Sequence, residues 1–297
     1  MQKIFQEYGG VITTAMVIVA LVSLIGIFFT ADGDGWMDNA FHDVVDGFVG
    51  KVDEAVPGEG TGGSGGSGGG NGDGSSLPAV GTSAKDCTWD EIKAISEAGK
   101  GDEYFDLGDE KTITLTDGTE VVMQIVAFNA DTLASEDTQT AGITWVSKGI
   151  ITTHAMNSAA TNTNGWAASD MRTWLQSDFY DTLPDDVKSV IVSVNKTYYD
   201  RTTSSTLTCT DNVWIPSHRE IFGDDAYESS GADYTAFFTD ASARIKYNSS
   251  NTAIAWWMRS AYTQGTTPGF RTVSADGGSK YLGATYPSFG AVLGFCS

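Results

Sequence analysis

Three histidines, three cysteines and a few acidic loops are the side chains from which this chain could build a nucleophile, a general base or a metal centre. His42 lies in the N-terminal stretch, which leaves His154 and His218 for a catalytic role. A Cys209–His218 or Ser217–His218 pair would have the chemistry of an activated nucleophile. Ser217-His218-Arg219-Glu220 also spells a helix start, however, with Ser217 as the cap and Glu220 closing a capping box. That reading is preferred. Cys87, Cys209 and Cys296 form no CxxC pair, which excludes a zinc ribbon or a thioredoxin-like site. Three buried thiols are the simpler expectation, although Cys87 and Cys296 could close a bridge and leave Cys209 free. Asp224-Asp225 with Asp233 or Asp240 would offer the loop oxygens that Ca²⁺ takes, but the spacing fits no EF-hand, and solvated loops are expected instead. No metal, no cofactor and no catalytic constellation is therefore expected, and the chain is read as a non-enzyme.

The elements that must position these residues can be read from Trp89 onward. Thr88 caps a short helix with Trp89, Ile92 and Ile95 on one face, ended by Gly99. Residues 111–116 and 120–128 form a hairpin across Asp117-Gly118. Ser169-Asp-Met-Arg-Thr-Trp-Leu175 opens a second helix with Met171, Trp174 and Leu175 inward, followed by Phe179 and Leu183 on the same side. Pro184-Asp185-Asp186 opens a third through Val187, Val190 and Ile191. Asn212-Val-Trp-Ile-Pro216 reads as a short strand, and residues 255–297 as strand pieces broken by Gly and Pro. Trp256-Trp257-Met258 belongs to the core, with Arg259 the buried partner of a carboxylate such as Asp170. The class is α+β with much irregular structure.

Four stretches in order, Asp106–Gly118, Gln124–Asn129, Gly165–Leu175 and Trp256–Ser260, resemble successive motifs of the bacterial domain-of-unknown-function family 6273, as does the ending Phe289–Cys296. The resemblance implies a C-type-lectin-like fold, of the kind found in formylglycine-generating enzymes, over residues 79–297. The cysteine context of those enzymes is not matched, and the EPN, QPD and WND sugar motifs of Ca²⁺-dependent lectins are absent. The fold is similar to that of the variable proteins of diversity-generating retroelements, whose ligand surface follows the WW-x-R-S motif. The matching stretch, Ala261–Ser288, is rich in the Tyr, Thr, Ser and Gly of antibody-like contact surfaces and of ordinary polar loops alike. Its candidate ligand-binding residues are Tyr262, Thr263, Gln264, Thr266, Thr267, Arg271, Ser274, Asp276, Ser279, Lys280, Tyr281, Tyr286 and Ser288.

The chain ahead of this head has a different composition. No charge occurs between Glu7 and Asp32, and Val11–Thr30 would span about 30 Å as a helix, so residues 1–31 are read as a retained transmembrane segment that meets the membrane over residues 8–31. Lys3 and Lys51 are the basic residues of its two flanks, a slight positive-inside bias, and the very short N-terminus adds to the expectation that the C-terminal domain lies outside. Residues 32–56 are expected to contain an amphipathic helix whose apolar stripe runs from Trp36 to Val52. Its polar face is acidic, unlike that of a membrane-surface helix, so the stripe is expected to meet a partner protein or another copy of the chain, the latter giving self-association through residues 11–56. Residues 57–78 form a flexible Gly/Ser linker. Its core, Gly58–Ser76, holds 11 glycines in 19 residues, with a coil span of roughly 25 Å. Net charge −21 excludes a nucleic-acid partner.

These features together predict a single-pass cell-membrane protein that displays a ligand-binding head, a diversified receptor or adhesin, for a protein or glycan ligand. The alternative is a pilin-like subunit that polymerises into surface filaments through its N-terminal helices.

Overall fold

The computed structural model describes residues 77–297, apart from 137, 224–227 and 263–267. The expected membrane segment, amphipathic helix and most of the tether lie outside the described residues. Among the described residues no helix is long and apolar enough to cross a membrane.

Helix α1 (Trp89–Glu97) begins where Thr88 and Glu91 exchange hydrogen bonds in a capping box, and it buries Trp89, Ile92 and Ile95. A short α2 (Gly101–Tyr104) leads to the hairpin of β1 (Glu110–Thr114) and β2 (Glu120–Thr132). Gly118 supplies the positive φ of the turn, and Asp117 accepts the Thr119 amide. β2 pairs next with β3 (Thr140–Ser147), and β11 (Gly294–Cys296) closes this sheet in the order β1-β2-β3-β11. β3 is buried from Ala141 onward, as a strand covered on both faces must be. Helix α1 packs on it closely: a Cβ at Gly142 would lie 2.3 Å from the Ser96 carbonyl oxygen.

Ser169 caps α3 (Asp170–Trp174), which widens into a π-turn (Leu175–Phe179) and runs on into α4 (Tyr180–Thr182). α5 (Asp185–Val190) follows, then a two-stranded ribbon of β5 (Val194–Asp200) and β6 (Ser205–Asp211). Two short capped helices, α6 (His218–Phe222) and α7 (Ala241–Arg244), precede the second sheet. That sheet runs β4-β10-β7-β8-β9, built from β4 (Thr152–Thr153), β7 (Trp256–Tyr262), β8 (Gly269–Val273), β9 (Ser279–Gly283) and β10 (Gly290–Ala291). The domain is mixed α+β with few, short helices. Trp145, Trp166, Trp214, Trp256 and Trp257 are all fully buried in its core.

The expected strand at 212–216 is corrected. Only Trp214 pairs, in an isolated bridge to Gly294. The neighbouring carbonyls are taken by side chains and loop backbone: Gln176 donates to Val213, the Arg259 guanidinium to Ile215, and the Arg259 amide to Pro216. Buried backbone oxygens so satisfied have no use for a strand partner.

Candidate functional site

Residues opposite one another across a strand pair share a face, and successive residues alternate. Arg271 stands opposite Tyr281 and Tyr262 opposite Gly269, so Tyr262, Arg271 and Tyr281 project from one face of β7-β8-β9. The tyrosines come from strands on either side of β8, yet their rings stack with centroids 3.6 Å apart and planes 4° apart. Gly269, between them, has no side chain to keep them apart, and a Cβ there would lie 2.2 Å from the Leu282 carbonyl oxygen. The Arg271 guanidinium lies 5.7 Å from the centre of the Tyr262 ring and meets no carboxylate among the described residues. Tyr281 is 52% exposed at the edge strand. Two flat phenols beside a guanidinium offer apolar area, hydroxyls and five N–H donors to a partner.

Ser279 lies on the same face, two residues from Tyr281. Its hydroxyl meets His218 Nε2 at 3.1 Å, and the imidazole stacks on Phe222 at 4.8 Å. The other sequence candidates divide. Lys280 stands opposite Thr272 and points to the reverse face. Ser274 and Asp276 close the β8–β9 turn: Ser274 pairs with Gly278, and hydrogen bonds from Ser274 and then from the Gly278 amide hold the Asp276 carboxyl below its usual range. Tyr286 packs edge-on to Phe289, which tilts against Trp257, and Trp257 stands opposite Thr272. Tyr286 therefore belongs with the reverse-face cluster. Ser288 is exposed in the same loop. Thr263, Gln264, Thr266 and Thr267 lie outside the described residues.

Sequence reading missed Asn162. Its buried amide donates to the carbonyls of Tyr262 (3.0 Å) and Gly269 (2.9 Å), pinning both ends of the β7–β8 connection. A lone loop Asn 100 residues from its partner carries no signal that spacing could reveal.

Beneath this sheet lies a charged network of Arg259, Glu220, Lys196 and Asp131, their side chains each 1% exposed. Arg259 is 1% exposed and forks onto both Glu220 oxygens at 2.6 and 2.7 Å. Its expected partner Asp170 instead accepts the Ser158 amide at 2.7 Å, because α3 turns that residue outward. Glu220 also takes the Ser217 amide, so the capping-box residue of α6 doubles as counter-ion to Arg259. Burial alone would raise its pKa, but the charges of Arg259 and Lys196 outweigh this and hold the carboxyl at about 2. Lys196 Nζ bonds Asp131, Glu220 (3.1 Å) and the Tyr234 hydroxyl (2.7 Å), and lies 3.3 Å from the centre of the Trp214 ring. Asp131 reaches this interior because β2 slips register between Phe128 and Asp131.

The nucleophile candidates are not assembled. Cys209 contacts the Lys196 carbonyl and Asp211, and burial pushes its thiol up to about 12. Burial also raises Cys87 and Cys296, and all three thiols are free. Ser217 is a helix cap, and His154 stacks on Trp174 at 4.9 Å. Asp233 and Asp240 spend their carboxylates on the Thr235 and Ala243 amides. Among the described residues no cluster suited to a metal ion occurs.

An α+β domain with an aromatic–guanidinium sheet face over a buried charge network is the class these observations define. The family described as Domain of unknown function (DUF6273) matches residues 141–291, and the chain belongs to it. No curated protein and no solved structure matches the chain.

Proposed function

We propose that the chain is a membrane-anchored surface protein whose C-type-lectin-like head binds a protein or glycan ligand through the sheet face of Tyr262, Arg271 and Tyr281. The stacked tyrosine pair beside an Arg271 that meets no carboxylate among the described residues carries this reading, whereas Arg172 and Arg259 are paired with Asp211 and Glu220. Return of β11 to pair with β3 supports the lectin-like topology, and the Ser/Thr/Gly content around the tyrosines suits an adaptable contact surface. The test is adhesion of cells displaying the full chain to arrays of glycans and extracellular proteins. Replacing Tyr262, Arg271 and Tyr281 together by alanine removes the signal at bound spots, whereas Tyr286→Ala retains most of it. Undiminished adhesion by the triple variant sinks the assignment.

The acidic amphipathic stripe of residues 36–52 supports a second reading, a filament subunit. Sheared surface material containing filaments that vanish on deletion of residues 1–56 supports it.

A further inference from the structure

Three lysines are buried in the described domain, and their amines have different surroundings. Lys111 Nζ bonds the carbonyl oxygens of Cys87 and Ala84, and Lys246 Nζ that of Ser147. Lys196 Nζ alone among these three meets carboxylates. It and Asp131 are each 1% exposed, on β5 and β2, and 65 residues apart in sequence. The pair is enclosed by Trp214, Tyr234, Thr144 and Cys296. At 1% exposure each, the two groups are almost wholly withdrawn from bulk water, which normally opposes amide formation from an amine and a carboxylate.

We propose that Lys196 and Asp131 join in an intramolecular isopeptide bond. Within the ion pair Nζ passes a proton to Asp131 Oδ1, giving a neutral amine and a carboxylic acid. The freed lone pair adds to Asp131 Cγ. Charge then builds on Oδ2, where Thr144 Oγ1 (2.7 Å) and the Tyr234 hydroxyl (2.9 Å) already donate hydrogen bonds. Burial, reinforced by the charges of Asp131 and Glu220, raises the Tyr234 pKa well above its usual value, so this phenol stays a donor. Glu220 Oε1, 3.1 Å from Nζ, accepts an N–H and relays the second proton. The Cγ–Oδ1 bond breaks, and the oxygen leaves as water with two of the three former ammonium protons. One proton stays on the amide nitrogen. The positive and negative charges cancel, and no oxidant, reductant or activated donor is consumed.

The surroundings favour the product. Two ions held out of water become a neutral amide whose carbonyl keeps the donors Thr144 and Tyr234. The water has a way out, for a polar cleft of about 660 Å³, lined by Asp131, Thr132, Asn195 and Thr197, reaches Asp131 from outside. The bond would tie the first sheet to the β5–β6 ribbon.

Mass spectrometry of the purified full chain decides the matter. The expected result is a mass lower than that of the sequence by one water, no tryptic cleavage after Lys196, and a branched peptide joining the Asp131 and Lys196 segments. Lys196→Arg, which keeps the charge, restores the full mass. A folded wild-type chain of full sequence mass that trypsin cuts after Lys196 overturns the proposal. So does a lost water that maps to another position, such as an Asp-Gly step. Because the decisive readout is made on the wild-type chain, a variant that fails to fold does not obscure it.

Discussion

Lys246 is 2% exposed, and burial, helped by the nearby Lys148 charge, lowers its amine from 10.5 to about 7. A base whose folded pKa lies below its unfolded value takes up fewer protons folded than unfolded between those two values. Stability therefore rises with pH from about 7 to about 10.5, and the penalty is full below 7. The shift corresponds to a cost on the order of 5 kcal/mol at acidic pH. Lys246→Met is expected to stabilise the domain at pH 7 and to flatten that rise, read from urea midpoints at pH 7 and 9. A variant no more stable than wild type at pH 7 would show that the amine is not held against its solvation. The Glu220 pKa is lowered too, so stability again rises with pH: its contribution is present above 4.5 and lost as pH falls through about 2. Glu220→Gln leaves Arg259 without its counter-ion, at a cost of about 3–5 kcal/mol. A loss below 1 kcal/mol in denaturant titration would refute the pairing's role. The cysteines are expected to ignore a thiol reagent at pH 8 in the native chain and to react in full once it is unfolded.

At the scale of elements, close backbone approaches set the tolerances. Gly142→Ala would drive a Cβ into the Ser96 carbonyl and push α1 off β3, and its thermal midpoint is expected to fall by well over that of Thr88→Ala, a cap loss of about 1 kcal/mol. Equal midpoints for the two variants would contradict this packing. The same elements show what could be read beforehand. The α1 cap, the Asp117-Gly118 turn and the Ser217–Glu220 capping box are local, and each is written in adjacent residues. β3, β5 and β6 went unread. β3 is buried on both faces and so shows no alternation, β6 is mostly polar Thr and Ser, and the buried face of β5 carries Lys196 and Asp200 among its four residues. Tyr262, Arg271 and Tyr281 are among the candidates read from the sequence, and the structure brings them onto one face. That Tyr286 and Lys280 face the other way was not legible there, because facing depends on the register of three strands and on the bulge between Trp257 and Ala261. Arg259 was placed in the interior correctly but given the wrong carboxylate, since partner choice there is fixed by α6 rather than by α3.

For the whole molecule, the hydrophobic Val11–Thr30 run predicts that the full chain sediments with membranes and that a chain lacking residues 1–56 stays in the supernatant. Equal partitioning of the two would remove the anchor from the proposal. The fold also sets an order of assembly. Strand β3 receives its second neighbour only from Gly294–Cys296, some 150 residues later, and the Trp145 indole bonds Ser297. Until those residues emerge from the ribosome, the edge of β3 along Thr144–Val146 lies open, an invitation to pair with another unfinished chain. Folding of this domain is thus a race between completing the last strand and aggregating through an open edge, and a pause in translation shortly before Gly294 would lose it.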